Sequence, residues 1–523
     1  MSIALDLKRA ALQFGQRIAL VDLDTPGGRK DFTYESLWRR VLLVAASLRT
    51  NGLQAGDRVG LLVTNSHEYV EIFFGCAAAG MVVVPMNTRL LEDEQAHFLR
   101  DSGARLLVVE GRLLRKWPSL LGIAEFGCIV TRAGGDLPGR FHAYENWLTL
   151  GSLATPSISV ESDALCSLMY TSGTTGLPKG VMLPHRAWQA VSALVRTHLG
   201  YRDGERTLHI APLTHGSGFL LLPTFEAGGI NFLSERFEPI RALALVRDER
   251  ISNGFFVPAM IRMLIDAQKI DSVDLSSLHT IYYAGSPIDS GTLKQALECF
   301  GEDVLVQSFA QMEAPMFLTV LDRADHRAIQ SGKNSQLIRS AGRICEGARV
   351  QVVDDQGHEL PSGEAGEIRA MAPQMMTGYW KRPEASSEAI RDGWLHTGDV
   401  GKFDNDGYLY VVDRKKDMII SGGSNVYARE VEEVLLSIPG ISDAAVIGVP
   451  DRKWGEAVTG VLVASGAILP DFREIEAYCR EKLPDYRRPK TYHWVQALPR
   501  NAYGKVLKRQ LREQFAVNME HEQ

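Results

Sequence analysis

Tyr170-Thr171-Ser172-Gly173-Thr174-Thr175-Gly176-Leu177-Pro178-Lys179-Gly180 sets three glycines, four Ser/Thr hydroxyls and one lysine in a single short run. Glycines let main-chain N–H groups approach an anion closely, and the hydroxyls add further donors. Lys179 supplies a point charge suited to phosphate. The spacing does not fit G-x-x-x-x-G-K-[ST], so this is not a Walker A loop. A flexible surface loop would account for the small residues but not for their length and order.

Outward from this loop, residues 165–169 read as a strand feeding it and 181–183 as a strand leaving it. Trp188, Val191 and Val195 then mark one face of a helix. Upstream, residues 59–63, 82–85, 106–109 and 128–130 read as short buried strands, with a helix over 68–79 between the first two. Strands alternating with helices imply an α/β fold, a largely parallel sheet in layers with helices. Residues 280–283 add another strand.

Past residue 412 the character changes. Val431, Val434, Leu435 and Ile438 form one helical face, and residues 444–449 and 460–464 read as strands, giving a smaller α+β unit. Between the two architectures lies Asp413-Arg414-Lys415-Lys416-Asp417. On composition alone those five charges are a solvated turn. As a junction they divide the chain into 1–413 and 414–523, the second segment being long enough for its own core.

At 523 residues the chain exceeds one ordinary domain, and 45% hydrophobic with 23% charged residues is ordinary for a globular protein. A formal net charge of -6 offers no basic footprint for nucleic acid. Cys76, Cys128, Cys166, Cys299, Cys345 and Cys479 are scattered without a C-x-x-C pair, which suggests neither zinc nor disulfides and fits a reducing cytoplasm. No secretory pattern opens the sequence, and no apolar run reaches the roughly 18 residues of a membrane span. A cytoplasmic protein without a transmembrane segment is expected.

The run S-G-T-T-G-x-P-K-G from Ser172 to Gly180 resembles the phosphate loop of the acyl-adenylate-forming enzymes. That family includes acyl-CoA synthetases, peptide-synthetase adenylation domains and beetle luciferases. The resemblance extends from Phe32-Thr33-Tyr34 and Gly56-Asp57-Arg58-Val59 to Gly504-Lys505. It implies a large N-terminal AMP-binding domain of layered sheets and helices, a smaller mobile C-terminal domain, and an acid–CoA ligase working in two steps. ATP, Mg²⁺ and coenzyme A are the implied cofactors.

The resemblance also assigns roles. Ser172, Gly173, Thr174, Thr175, Gly176 and Lys179 cradle phosphate, while Thr171 and Glu313 hold Mg²⁺, a hard cation that takes oxygen ligands. Glu313 ends the run Phe309-Ala310-Gln311-Met312-Glu313, where the family pattern is Y-G-x-T-E. Phe309 can still stack on adenine, and Ala310 replaces the glycine. Met312 replaces the threonine whose hydroxyl meets the α-phosphate, with Gln311 as the nearby substitute. Gly285, Ser286 and Pro287 correspond to the segment lying against adenine.

Asp399, in Gly393-Trp394-Leu395-His396-Thr397-Gly398-Asp399, matches the carboxylate that accepts both ribose hydroxyls, and Arg414 matches the second ribose ligand. Lys505 matches the catalytic lysine that bridges the acyl carboxylate and the α-phosphate. Lys416 falls at the family's hinge position. Gly422 and Gly423 match a glycine loop that leaves room for a pantetheine arm. His215, in Pro212-Leu213-Thr214-His215-Gly216-Ser217-Gly218, matches a wall of the acid pocket. Read alone it is also compatible with a buried structural histidine, and it has no partner at metal spacing.

The pocket segments, His215 to Leu222 and Tyr283 to Gly285, hold no Arg or Lys to pair a second carboxylate and no acid to pair an ammonium. A buried charged tail would go unpaired there. Small residues leave volume, and each buried CH₂ contributes ~0.8 kcal/mol. Medium- or long-chain fatty acids are therefore expected first, and aromatic or alicyclic acids second. The expected partners are a small carboxylic acid, ATP and CoA. A homodimer is an option the sequence leaves open. One rival is a fatty-acid adenylating enzyme that loads a carrier protein, separable by comparing CoA with a phosphopantetheinylated carrier. Another is a catalytically dead nucleotide-binding protein, against which Lys179, Glu313, Asp399, Arg414 and Lys505 stand.

Overall fold

A computed structural model describes residues 2–134, 141–151, 160–171, 178–270, 273–466, 469–500 and 506–517. Packing groups the chain into two units: Met1–Val350 with Ala370–Leu395, and Gln351–Arg369 with His396–Gln523. These are not the 1–413 and 414–523 segments of the sequence reading. Division by packing and division by motion are separate matters.

The first unit holds two sheets. In the seven-stranded one the order is His142–Ala143, Cys128–Thr131, Leu106–Glu110, Arg58–Leu62, Val82–Pro85, Leu165–Thr171 and Lys179–Pro184. All neighbours pair in parallel except the last two. Both faces are covered, so the strands read as unbroken apolar runs; every residue of Val82–Pro85 and Leu106–Glu110 is buried. Helix His67–Ala79 is buried along its whole length, started by Ser66, whose side chain accepts from the Tyr69 N–H.

The nine-stranded sheet is the part that was poorly legible. Its parallel centre runs through Leu305–Gln311, Thr280–Tyr283, Asn253–Phe256, Arg206–His209, Ile230–Leu233 and Ile18–Thr25. Antiparallel strands close both edges, Ala314–Leu321 with Arg343–Ile344 on one side and Gly28–Thr33 on the other. A buried polar knot ties the two layers. Asp22, on Ile18–Thr25, accepts from the His67 backbone N–H at 3.0 Å and from Arg132 Nη2 at 2.9 Å, with His67 Nδ1 at 2.7 Å. Burial alone would raise the Asp22 carboxyl; the His67 hydrogen bonds and the Arg132 charge outweigh it and hold the group below its usual range.

Three fully buried histidines in this unit make its stability pH-dependent. Burial holds His185, His209 and His326 at about 4, against the usual 6.5. The unfolded chain gains a proton near 6.5 that the folded state refuses until about 4. The stability is therefore complete above ~6.5 and is lost as pH falls through that window. A gap of ~2.5 pH units corresponds to at most about 3 kcal/mol per histidine. The melting temperature is expected to drop steadily from about pH 7 to pH 5, and His209→Gln to flatten that slope. An unchanged slope in the variant would contradict the assignment.

In the second unit the sheet order is Ser424–Val426, Ile419–Ser421, Gly455–Ala464, Ile441–Asp451, with Thr491–Trp494 added in parallel to Gly455–Ala464. Period-two alternation sends Ala444 and Val446 of one strand to a core with Val431, Leu435 and Ile438, while Ala445, Ile447 and Val449 join Leu511 and Phe515 on the other face. The expected helical face at Val431 is thus in the core, as read. Only part of the five-charge run is a solvated turn, for Lys415 and Lys416 are exposed but their neighbours are not. Asp413 is buried, Asp417 pairs with Arg512 at 2.9 Å, and Lys415 reaches Asp355 at 2.9 Å. Among the described residues no helix is long and apolar enough to cross a membrane.

Candidate active site

Antiparallel register places Thr171 directly opposite Lys179. The two strand ends therefore flank the candidate phosphate loop. Ser172, Gly173, Thr174, Thr175 and Gly176 lie outside the described residues, as does Lys505. The strand leaving the loop is held by a second segment: Trp380 N–H donates to the Gly180 carbonyl at 2.8 Å and Thr377 N–H to the Met182 carbonyl at 3.0 Å. From this segment the Tyr379 ring faces the Lys179 ammonium, 5.0 Å from the ring centroid.

Glu313 sits on the two-residue connection between Leu305–Gln311 and Ala314–Leu321, where Gln311 pairs with Ala314. Its side chain is buried and accepts from the Tyr379 hydroxyl at 2.7 Å, and its backbone carbonyl accepts from Met376 N–H at 2.8 Å. Phe309, Ala310, Gln311 and Met312, just ahead of it, are half-buried. The neighbouring parallel strand Thr280–Tyr283 ends in Ala284, then exposed Gly285, Ser286 and Pro287. Both candidate adenine segments therefore leave the carboxyl ends of adjacent parallel strands, where open α/β sheets bind ligands.

Two strands further along, Arg206–His209 leads to His215. Thr214 Oγ1 lies 2.8 Å from His215 Nδ1. Burial, with the Arg89 charge added, lowers His215 to about 4, so the ring is neutral at ordinary pH. The glycines beside it are closely packed on the side a Cβ would take. A Cβ on Gly216 would fall 2.6 Å from the Phe255 ring, and one on Gly218 only 2.0 Å from the Leu213 carbonyl oxygen. Ser217 to Leu222 are all buried. At Gly216 and Gly218 a larger residue would meet Phe255 or backbone, whereas a Cβ on Gly285 would meet only Val257 at 3.7 Å.

The second unit carries the candidate ribose pair. Asp399 and Arg414 face each other across two antiparallel strands, and Arg414 Nε lies 3.0 Å from Asp399 Oδ1. Arg414 accordingly sits where it can orient the buried carboxylate. Lys416 is exposed on the single turn Lys415–Asp417. Gly422 and Gly423 form the two-residue link of a hairpin in which Ser421 pairs with Ser424; their φ of 58° and 77° define the turn that only such residues enter without strain. The turn itself is thus a sufficient reason for two glycines.

Comparison with known proteins decides the family. The AMP-binding enzyme family matches residues 7–380, and its C-terminal domain matches residues 430–505. This chain belongs to the AMP-binding enzymes. Over 504 residues it is 39% identical to a feruloyl-CoA synthase of Amycolatopsis sp, covering 93% of this chain and 95% of the relative. It is 34% identical over 478 residues to the long-chain-fatty-acid–CoA ligase FadD13 of Mycobacterium tuberculosis, covering 90% of each. The solved amide bond synthetase McbA of Marinactinospora thermotolerans superposes with a TM-score of 0.86 at 30% identity, covering 98% of this chain and all of that one. This AMP-binding enzyme is an acid–thiol ligase of the AMP-forming type, with ATP, Mg²⁺ and coenzyme A as its cofactors.

Three neighbours of the site escaped the sequence reading: Tyr379, Phe255 and Arg89. Each reaches it from a distant part of the chain, and a single aromatic or arginine carries no periodicity to flag it.

Proposed function

We propose that this acid–CoA ligase takes a planar aromatic monocarboxylic acid ahead of a long-chain fatty acid, with the site residues in the roles below. One observation carries the substrate choice: the Phe255 ring occupies the space over Gly216. Behind it Tyr282 lies 5.5 Å away, and Phe317 stacks on Tyr282 at 5.2 Å. Ring faces favour offset or edge contact with another ring.

In the first step a carboxylate oxygen of the acid attacks the α-phosphorus of ATP, the bond to the bridging β-oxygen breaks, and pyrophosphate leaves. Ser172 to Gly176 and Lys179 hold the departing phosphates, while Phe309 and Gly285 to Pro287 flank adenine. Asp399 and Arg414 hold the ribose. Lys505 bridges the acid and the α-phosphate. Thr171 and Glu313 are hard oxygen donors, and Tyr379 orients the Glu313 carboxylate, so these residues suit Mg²⁺. When bound, that cation neutralises charge on the phosphate oxygens. Neutral His215 acts as a wall of the acid pocket. In the second step the CoA sulfur attacks the acyl carbon, the bond to AMP breaks, and the thiol proton passes to solvent. Rotation of 414–523 about Arg414–Lys416 separates the two steps, and the Gly422–Gly423 turn admits the pantetheine arm.

The test is a pyrophosphate-release screen across arylacrylic, benzoic, C6–C16 fatty and dicarboxylic acids. kcat/KM is expected to be highest for an arylacrylic acid, by about tenfold or more, the discrimination that one or two poorly fitted apolar groups provide. A kcat/KM that climbs steadily with fatty chain length would restore the fatty-acid reading. The highest value on a dicarboxylic acid would overturn both.

A further inference from the structure

Tyr379 touches two groups to which the mechanism assigns charge. Its hydroxyl donates to Glu313 Oε1 at 2.7 Å, and its ring lies under the Lys179 ammonium at 5.0 Å. A cation over the ring face and a carboxylate on the hydroxyl favour the same polarisation of the phenol, so the two contacts support each other.

The segment carrying Tyr379 is held firmly. Val181 and Tyr379 form an antiparallel bridge, and the Tyr379 N–H donates to Ser386 Oγ at 2.8 Å. Asp101 clamps the next turn: it accepts from Arg382 Nη2 at 2.8 Å, and its backbone carbonyl accepts from Lys381 Nζ at 3.0 Å. The same Asp101 accepts from the Tyr170 hydroxyl at 2.7 Å, one residue before Thr171. The clamp thus joins the strand entering the phosphate loop, the strand leaving it, and the tyrosine that reaches Glu313.

We infer that Tyr379 is a positioning residue for adenylation, fixing the Glu313 carboxylate for a divalent cation and the Lys179 ammonium for phosphate from a single side chain. The inference rests on the metal role proposed for Glu313. It explains how a chain with Met312 in place of a hydroxyl still holds the adjoining Glu313 rigidly: the orienting contact comes from outside the motif.

The experiment measures Mn²⁺ binding by electron paramagnetic resonance, with the full-length enzyme and α,β-methylene-ATP, so that no turnover is required. Tyr379→Phe keeps the ring and removes the hydroxyl. It is expected to weaken Mn²⁺ binding by ~10-fold, as for a hydrogen bond to a charged group, with an unchanged melting temperature. In a Glu313→Gln background the same substitution should add nothing, because its target is gone. Tyr379→Leu should weaken nucleotide binding ~3-fold beyond Tyr379→Phe, through loss of the ring under Lys179. Wild-type Mn²⁺ affinity in Tyr379→Phe would overturn the inference, as would losses that add in the double variant. A lowered melting temperature with unchanged Mn²⁺ affinity would mark a merely structural tyrosine and overturn it too. Wild-type Mn²⁺ affinity in Glu313→Gln would instead remove the metal role of Glu313, and this inference with it.

Discussion

Lys505→Ala is expected to lower the adenylation rate by ~10²–10³ while leaving thioester formation from preformed acyl-adenylate close to wild type. In adenylation, negative charge gathers on the pentacovalent phosphorus and on the incoming carboxylate at once, and one preorganised cation between them contributes about 3–4 kcal/mol. In the thioester step no bond forms at phosphorus: the acyl–oxygen bond breaks and the new charge develops on the departing AMP oxygen, so a cation that joins an incoming carboxylate to the α-phosphate is expected to matter less. The chain on either side of residues 501–505 is well anchored for such a task. Arg500 and Val506 form an antiparallel bridge, and Leu507 N–H donates to the Pro499 carbonyl at 2.8 Å. Arg500 pairs with Asp443 at 2.6 Å, and the buried Lys508 ammonium with Glu432 at 2.7 Å. Pyrophosphate release with acid and ATP measures the first step, and thioester yield from synthetic acyl-AMP the second. Normal acid-dependent ATP turnover in the variant would sink the assignment of Lys505.

The second large effect is expected at the hinge. Lys415–Asp417 is a 3₁₀ turn whose end is closed by Met418 N–H donating to the Arg414 carbonyl at 3.1 Å. Proline at 416 fixes its own φ near −65° and drives Lys415 out of the helical region toward extended backbone. The conformation with this turn is thereby disfavoured against the alternative. Lys416→Pro should therefore lose about 10²-fold in one half-reaction, the scale of a misplaced catalytic group, and keep the other within a few fold. Lys416→Ala, which lacks the backbone constraint, should spare both. Equal losses in the two half-reactions, with an unchanged melting curve, would show that Arg414–Lys416 is not where the chain turns.

Sequence legibility followed chemistry that is local along the chain. The strand–loop–strand unit around Lys179 was readable because the strands and the loop are consecutive. The Val431 helix face and the 444–449 strand were readable because periods of 3.6 and 2 are local properties. At the five-charge run composition describes the exposed Lys415 and Lys416, but nothing nearby announces that Arg512 and Asp355 will meet Asp417 and Lys415. The glycines at 216 and 218 have a packing reason that the sequence does not show. Glycine in a sequence marks missing volume, but only packing says whether the space stays open or, as here, is taken by Phe255 and the Leu213 carbonyl.

The sequence by itself determined that this chain is an α/β adenylate-forming ligase with a smaller α+β part, and it named the motif residues at Lys179, Glu313, Asp399 and Arg414. Tertiary structure alone decided what surrounds them. It set Ile18–Thr25 beside Ile230–Leu233 in one sheet. It brought the ends of Thr280–Tyr283 and Leu305–Gln311 to one edge, and placed Tyr379 between Lys179 and Glu313. The physical reason is one of range. Capping, periodicity and loop chemistry act between residues a few positions apart, so they are written in the order of the chain. Parallel pairing and side-chain packing join residues of arbitrary separation, and their outcome depends on the shapes of all the partners together.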